Sequence, residues 1–211
     1  MKLKNSSHSG KGALFLLLSL SWALSVQAQQ PACIVLAQSD PDHAFVLALD
    51  ALRQNPNDQA ALLCRATAAF QTGGFTNAAK DFARLAATEP DKAESARLYS
   101  KAGWALMRAN QPAAAGKAFA AAIKLAPKQA AYWHDHATAL MQAEQFWDAQ
   151  RELDYALKLA PGDAALWALR ADCWLKLGTM ARARSDARQA LALQPEQSMA
   201  LAILQKIAVE K

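Results

Sequence analysis

The chain has 211 residues dominated by Ala and Leu, only 8 Gly and 8 Pro, and sparse strand-forming Val, Ile and Thr, so its composition points to an all-α protein. Its 23 Lys plus Arg against 18 Asp plus Glu give a formal charge of +5, but Lys2, Lys4 and Lys11 lie ahead of Ala28 with no acid among them, leaving 20 against 18, or +2, on the remainder. That near balance, with no basic run beyond Ala28, removes the main support for a nucleic-acid or anionic-membrane partner.

The first element is a basic leader followed by an apolar run from Ala13 to Val26 and the small-residue ending Val26-Gln27-Ala28. This reads as a secretory signal peptide, residues 1–28, cut after Ala28. The run from Ala13 to Val26 is short of the roughly 20 residues that span a membrane. Cys33 lies close behind the cut, but Gln29-Gln30-Pro31-Ala32 lacks the Leu and small residues of a lipoprotein signal. The mature chain is therefore expected in the periplasm or outside the cell, with no stable membrane anchor.

Residues 29–41 read as an N-terminal segment and 42–56 as an entry helix, near His43 to Gln54, standing alone as half a repeat. From there a period sets in: Pro56, Pro90, Pro127, Pro161 and Pro195 follow one another at intervals of 34, 37, 34 and 34. Proline lacks an N–H and disfavours helix in the residue before it, so each closes one helix and sets the turn into the next. A second break falls mid-unit at Gly73-Gly74, Asn110-Gln111-Pro112, Gln145 and Gly178, dividing each unit into a helical hairpin. Four units are expected, 59–90, 96–127, 130–161 and 164–195, with a capping helix in 196–211 that turns Gln205, Lys206 and Glu210 to water.

A 34-residue helical hairpin resembles the tetratricopeptide repeat, and the slots agree. The opening aromatic slot holds Leu62, Tyr99, Trp133 and Trp167, and the small slot of the same helix holds Ala66, Gly103, Ala137 and Ala171. In the second helices Ala78, Ala115, Ala149 and Ala183 are each followed four residues later by Phe82, Phe119, Leu153 and Ala187. The resemblance implies a right-handed superhelical solenoid of antiparallel helix pairs. Three features depart from the pattern: Arg65, Ala102, His136 and Arg170 stand where Leu is usual, Ala187 replaces the last Phe, and three extra residues around Asp91 to Ser95 lengthen the second unit. The first helix of that unit, through Tyr99 and Trp104, should start early and project beyond its neighbours.

Catalytic signatures are missing: there is no G-x-S-x-G, H-E-x-x-H, C-x-x-C or phosphate-cradling glycine loop, so no enzyme activity and no cofactor are expected. His134 and His136 are two apart, hence about 200° apart around a helix, and do not share a metal ion. The cysteines are Cys33, Cys64 and Cys173. A Cys33–Cys64 bridge would tie the N-terminal segment to the array, with Cys64 expected to face the inner groove; the alternative is three buried or free thiols, Cys173 packing beside Trp174 as a small hydrophobe.

A solenoid exposes the first helices of successive pairs along one concave face, which makes another protein or peptide the expected partner. The candidate groove residues are Arg97, Lys101, Trp104, Arg108, His134, Asp135, Thr138, Asp172 and Lys176. Arg97, Lys101, Trp104 and Arg108 form one stripe, a contact for an acidic peptide anchored on Trp104, or else a solvated face with the indole packed on the next repeat. Grooves of the family that clamp chaperone C-termini carry Asn in their first helices; Thr67, Trp104, Thr138 and Asp172 stand here, so that clamp is not expected. The function expected is a non-catalytic scaffold or adaptor in the bacterial cell envelope. The alternative is a structural protein that forms homo-oligomers through Met199, Ile203 and Ile207 of its last helix.

Overall fold

The computed structural model describes residues 32–209; the expected signal peptide with its expected cut after Ala28, and Glu210, lie outside them. Eleven α-helices and no strand occur among the described residues: α1 (Ala32–Ser39), α2 (Pro41–Gln54), α3 (Gln59–Gln71), α4 (Phe75–Thr88), α5 (Lys92–Arg108), α6 (Pro112–Leu125), α7 (Ala130–Gln142), α8 (Phe146–Leu159), α9 (Ala164–Lys176), α10 (Met180–Leu193) and α11 (Ser198–Val209). Helices α3 to α10 form four consecutive pairs, each packed on the next. The fold is an all-α helical repeat. Helix α5 runs 17 residues against 13 in α3, α7 and α9, so the extra residues add a turn to its start.

Local chemistry explains the boundaries. Helices α2, α4, α6, α8 and α10 each end two residues before a proline, where the chain leaves the helical region. Aspartates restart the chain: Asp58, Asp91 and Asp163 accept from the backbone N–H of Ala61, Glu94 and Ala165 at 2.8–3.0 Å, capping α3, α5 and α9. Within each pair the turn repeats one device. The N–H of Gly74, Gln111, Gln145 and Thr179 returns to the carbonyl five residues back, and the residue before it takes positive φ: Gly73 +87°, Asn110 +56°, Glu144 +59° and Gly178 +73°. Gly and Asn tolerate that region; Glu144 bears its steric cost.

The interior is built of small slots and the large side chains set into them. Ala66, Ala137, Ala171, Ala78, Ala115, Ala149 and Ala183 are wholly buried, facing buried Phe82, Phe119, Leu153 and Ala187. Gly103 shows why the slot is small: a Cβ there would lie 2.5 Å from the Phe119 ring. The indole N–H groups of Trp133 and Trp167 each donate to the carbonyl of the preceding proline, Pro127 and Pro161, at 2.8 Å, joining each repeat to the close of the last.

Three of the four positions where Leu is usual carry polar side chains with partners. Arg65 holds Asp81 through two bonds of 2.7 Å, and Arg170 holds Asp186 at 2.7 and 2.9 Å while its third nitrogen reaches Asp154 at 2.7 Å. His136 faces Glu152 at 3.4 Å in the third repeat. Each of Asp81, Glu152 and Asp186 stands on the second helix of the hairpin whose first helix carries its partner, and the two arginine pairs, which are hydrogen-bonded, lock the helices of their repeats together.

Four expectations need correction. The entry helix is not alone, because α1 fills part of the presumed N-terminal segment and packs against α2 and α3. Cys64 does not face the groove: it is fully buried with Ala37, Ala44 and Ala48, and is joined to Cys33, their Cα atoms 5.7 Å apart. In α11, Ile203 and Ile207 point inward beneath α9 and α10, leaving Met199, Leu201 and Val209 exposed instead. Asp135, expected in the groove lining, is buried.

Candidate functional site

Successive first helices touch one another, α5 with α7 and α7 with α9, so these helices line the inner side of the array. The inner stripe of α5 faces α3 and α4 across a pocket of 270 Å³. Its apolar walls are Phe70 of α3, Phe82 of α4 and Trp104 of α5, with Thr67, Gln71 and Ser100 as polar elements. Arg97 and Lys101 supply its cations.

The two cations differ. Arg97 is already engaged, its Nε and terminal nitrogen donating to Glu94 at 2.7 and 2.5 Å, which holds the Glu94 carboxyl below its usual range and raises the guanidinium further. Lys101 is half-buried above the Phe82 ring, 5.6 Å from its centroid, and no carboxylate among the described residues lies within ion-pair distance of it. Burial first, and then the Arg97 charge, lower its pKa. A desolvated ammonium above an aromatic floor gains from an arriving carboxylate.

Trp104 is 38% exposed, and its orientation is set from the next repeat. Its indole N–H donates to Asp135 at 3.1 Å, the Ser100 hydroxyl donates to the same oxygen at 3.1 Å, and the ring meets Phe119 in a T-shaped contact with centroids 5.8 Å apart. Asp135, 9% exposed, is thus a positioning residue engaged by α5 rather than a groove carboxylate. With its N–H occupied, Trp104 offers a ring face and selects an apolar contact.

The other candidates do not join the pocket. Arg108 lies over Phe75, 5.0 Å from the ring centroid, nearer the turn edge. The His134 ring faces Asp135 at 3.4 Å, and the Thr138 hydroxyl donates to the His134 carbonyl at 2.9 Å. Asp172 is half-buried, and Lys176 lies exposed in the last turn of α9. His134 and His136 turn to different acids, and among the described residues no three His, Cys, Asp or Glu converge as metal ligands. Sequence reasoning missed Phe82 as a pocket floor, because its slot already explained it as packing, and missed the Glu94–Arg97 pair although the i, i+3 spacing was visible. Cys173 is buried and donates to the Phe146 carbonyl at 3.0 Å, and burial pushes its thiol up to about 12.

No curated protein is detectably similar to this chain. Solved structures share its fold. YrrB, described as a TPR protein with an unusual peptide-binding site, matches 88% of this chain and 97% of its own at a TM-score of 0.69 and 14% identity. MamA matches 76% of this chain and 92% of its own at 0.65 and 19%, and the first TPR of Spaghetti (RPAP3), bound to the HSP90 peptide SRMEEVD, matches 56% and 94% at 0.54 and 18%. The tetratricopeptide repeat model matches residues 32–94 and 134–198, more than half of the sequence and on both sides of the lengthened second repeat. With its hairpins, paired slots and turns all agreeing with that match, the chain belongs to the tetratricopeptide repeat family.

Proposed function

We propose that the protein is an exported, non-catalytic adaptor of the bacterial cell envelope that binds a partner protein through the inner pocket of its first two repeats. The observation that carries the reading is Lys101, a half-buried ammonium above Phe82 with no carboxylate within ion-pair distance among the described residues, set beside the exposed face of Trp104. A segment that places an Asp or Glu on Lys101 and an apolar side chain against Trp104 and Phe70 satisfies both. Proteins of the family act as interaction scaffolds, and the Spaghetti (RPAP3) repeat was captured with an acidic peptide, SRMEEVD. Export is supported by the signal-like segment that ends at Ala28 and by the Cys33–Cys64 bridge, which persists in oxidising compartments.

The test is calorimetric titration of the mature protein with a synthetic peptide carrying Glu beside Leu or Phe. Saturable binding that weakens about tenfold or more in Lys101→Glu and in Trp104→Ala is expected. Unchanged affinity in both variants removes the pocket from the interface. A second reading, self-association through the last helix, draws on the exposed Met199, Leu201 and Val209. Light scattering that finds a strict monomer at high concentration removes it.

A further inference from the structure

Positions equivalent to the Arg170 network recur through the array. In the last repeat Arg170 of α9 reaches forward to Asp186 of α10 and back to Asp154 of α8, so one guanidinium spans the gap between two successive outer helices. Two repeats earlier, the slots of Asp186, Arg170 and Asp154 hold Ala118, Ala102 and Ala83. No charged side chain from these slots crosses the gap there. The result is a groove of 380 Å³ on the outer side, walled by α4 and α6 and floored by Tyr99, Ala102 and Leu106 of α5. The Gln111 amide donates to the Thr76 hydroxyl at 3.4 Å and closes one end. No residue of this groove belongs to the inner pocket.

Its rim is basic on both sides. Lys80 of α4 and Lys117 of α6 are exposed, and neither has a carboxylate within ion-pair distance among the described residues. Helix α6 carries Lys117 and Lys124 and no acid at all. Small residues on the two walls, Ala79 and Ala83 facing Ala114 and Ala118, allow another helix to approach closely. An extended strand would find no edge there to pair with, since the wall carbonyls are engaged within their own helices.

We propose that this outer groove is a second docking site, which takes an amphipathic helix of a partner protein whose apolar edge is flanked by Asp or Glu. Apolar side chains enter the alanine-walled cleft, and the acids meet Lys80 and Lys117, which fix the helix in place and reject basic partners. The second repeat is thus recognised from both sides, inward through Lys101 and Trp104 and outward through the slots left empty of charge.

The test uses a synthetic helical peptide of about 15 residues, four turns, with Leu along one edge and Glu on both flanks, beside a counterpart with Lys for Glu. NMR titration of the mature protein is expected to show saturable amide shifts at Ala79, Ala83 and Ala118 with the Glu peptide and none with the Lys peptide. Affinity should fall about tenfold in the Lys80→Glu, Lys117→Glu variant. A83D/A102R/A118D, which installs the charge network of the last repeat and fills the cleft, should abolish binding, while Lys101→Glu leaves it unchanged. Should the triple variant fail to fold, the charge-reversal variant decides. The proposal is overturned by absent saturation, by equal affinity for the Lys peptide, by shifts on the inner pocket, or by self-association of the protein through this surface in place of peptide binding.

Discussion

Replacing Arg170 tests how far the buried charges stabilise the array. In Arg170→Ala the Asp186 carboxylate, 9% exposed, loses two charge-assisted bonds of 2.7 and 2.9 Å and stays buried without a partner. Breaking a pair of this kind costs about 3–5 kcal/mol when wholly buried. Because the Arg170 side chain is itself 17% exposed, and Asp154 at 43% returns to water, the loss here should be near 3 kcal/mol, including about 1 from the guanidinium stacked 4.7 Å from Trp167. The second repeat supplies the control, since Ala102 and Ala118 occupy the same slots without harm to the fold. Arg170→Ala with Asp186→Ala still loses the Trp167 stacking and leaves a void, about 2 kcal/mol in all, against about 3 and about 1 for the two single variants, so the double-mutant cycle yields a coupling of about 2 kcal/mol. Urea unfolding followed by circular dichroism measures it. A double variant as unstable as the sum of the singles refutes the account.

Two further predictions rest on local geometry. Glu144→Gly should stabilise the protein by about 0.5 kcal/mol in the same assay, because relief of the side chain at φ +59° slightly outweighs the entropy of glycine; a loss instead would place Glu144 in an undetected role. Cys173 should resist alkylation in the folded protein at pH 8 and react rapidly in urea. Its thiol, raised to about 12, is held neutral, so the stability it lends is complete below the unfolded thiol pKa and is lost as pH rises towards 12. Fast labelling of the folded chain at pH 8 would contradict its burial.

The hairpins were legible because proline and the small slots act locally: a residue that cannot continue a helix marks its end whatever surrounds it. The pocket was legible only in part. Arg97, Lys101 and Trp104 were visible as one helical stripe, yet which cation was free depended on Glu94, and what Trp104 could offer depended on Asp135 in the next repeat. Polar residues in the Leu slots stood out as departures from the pattern, since their partners lie in a different helix. For the same reason Ala83, Ala102 and Ala118 read as ordinary alanines in the sequence, and only Asp154, Arg170 and Asp186 in the corresponding slots show what those positions can carry. Leu201 falls in the opening slot of a further unit, yet it is 49% exposed because no second helix follows among the described residues to cover it.

The Cys33–Cys64 bridge gives the array a direction of unravelling. In a linear stack each repeat leans only on its neighbours, so opening begins wherever an end frays most cheaply. On one side a covalent link fastens α1 to α3, while on the other α11 is held, among the described residues, by the packing of Ala200, Ile203, Leu204 and Ile207 with no covalent link. Amide exchange should therefore advance from the last helix inward, and the repeats that carry both candidate surfaces, the first and second, would be the last to let go.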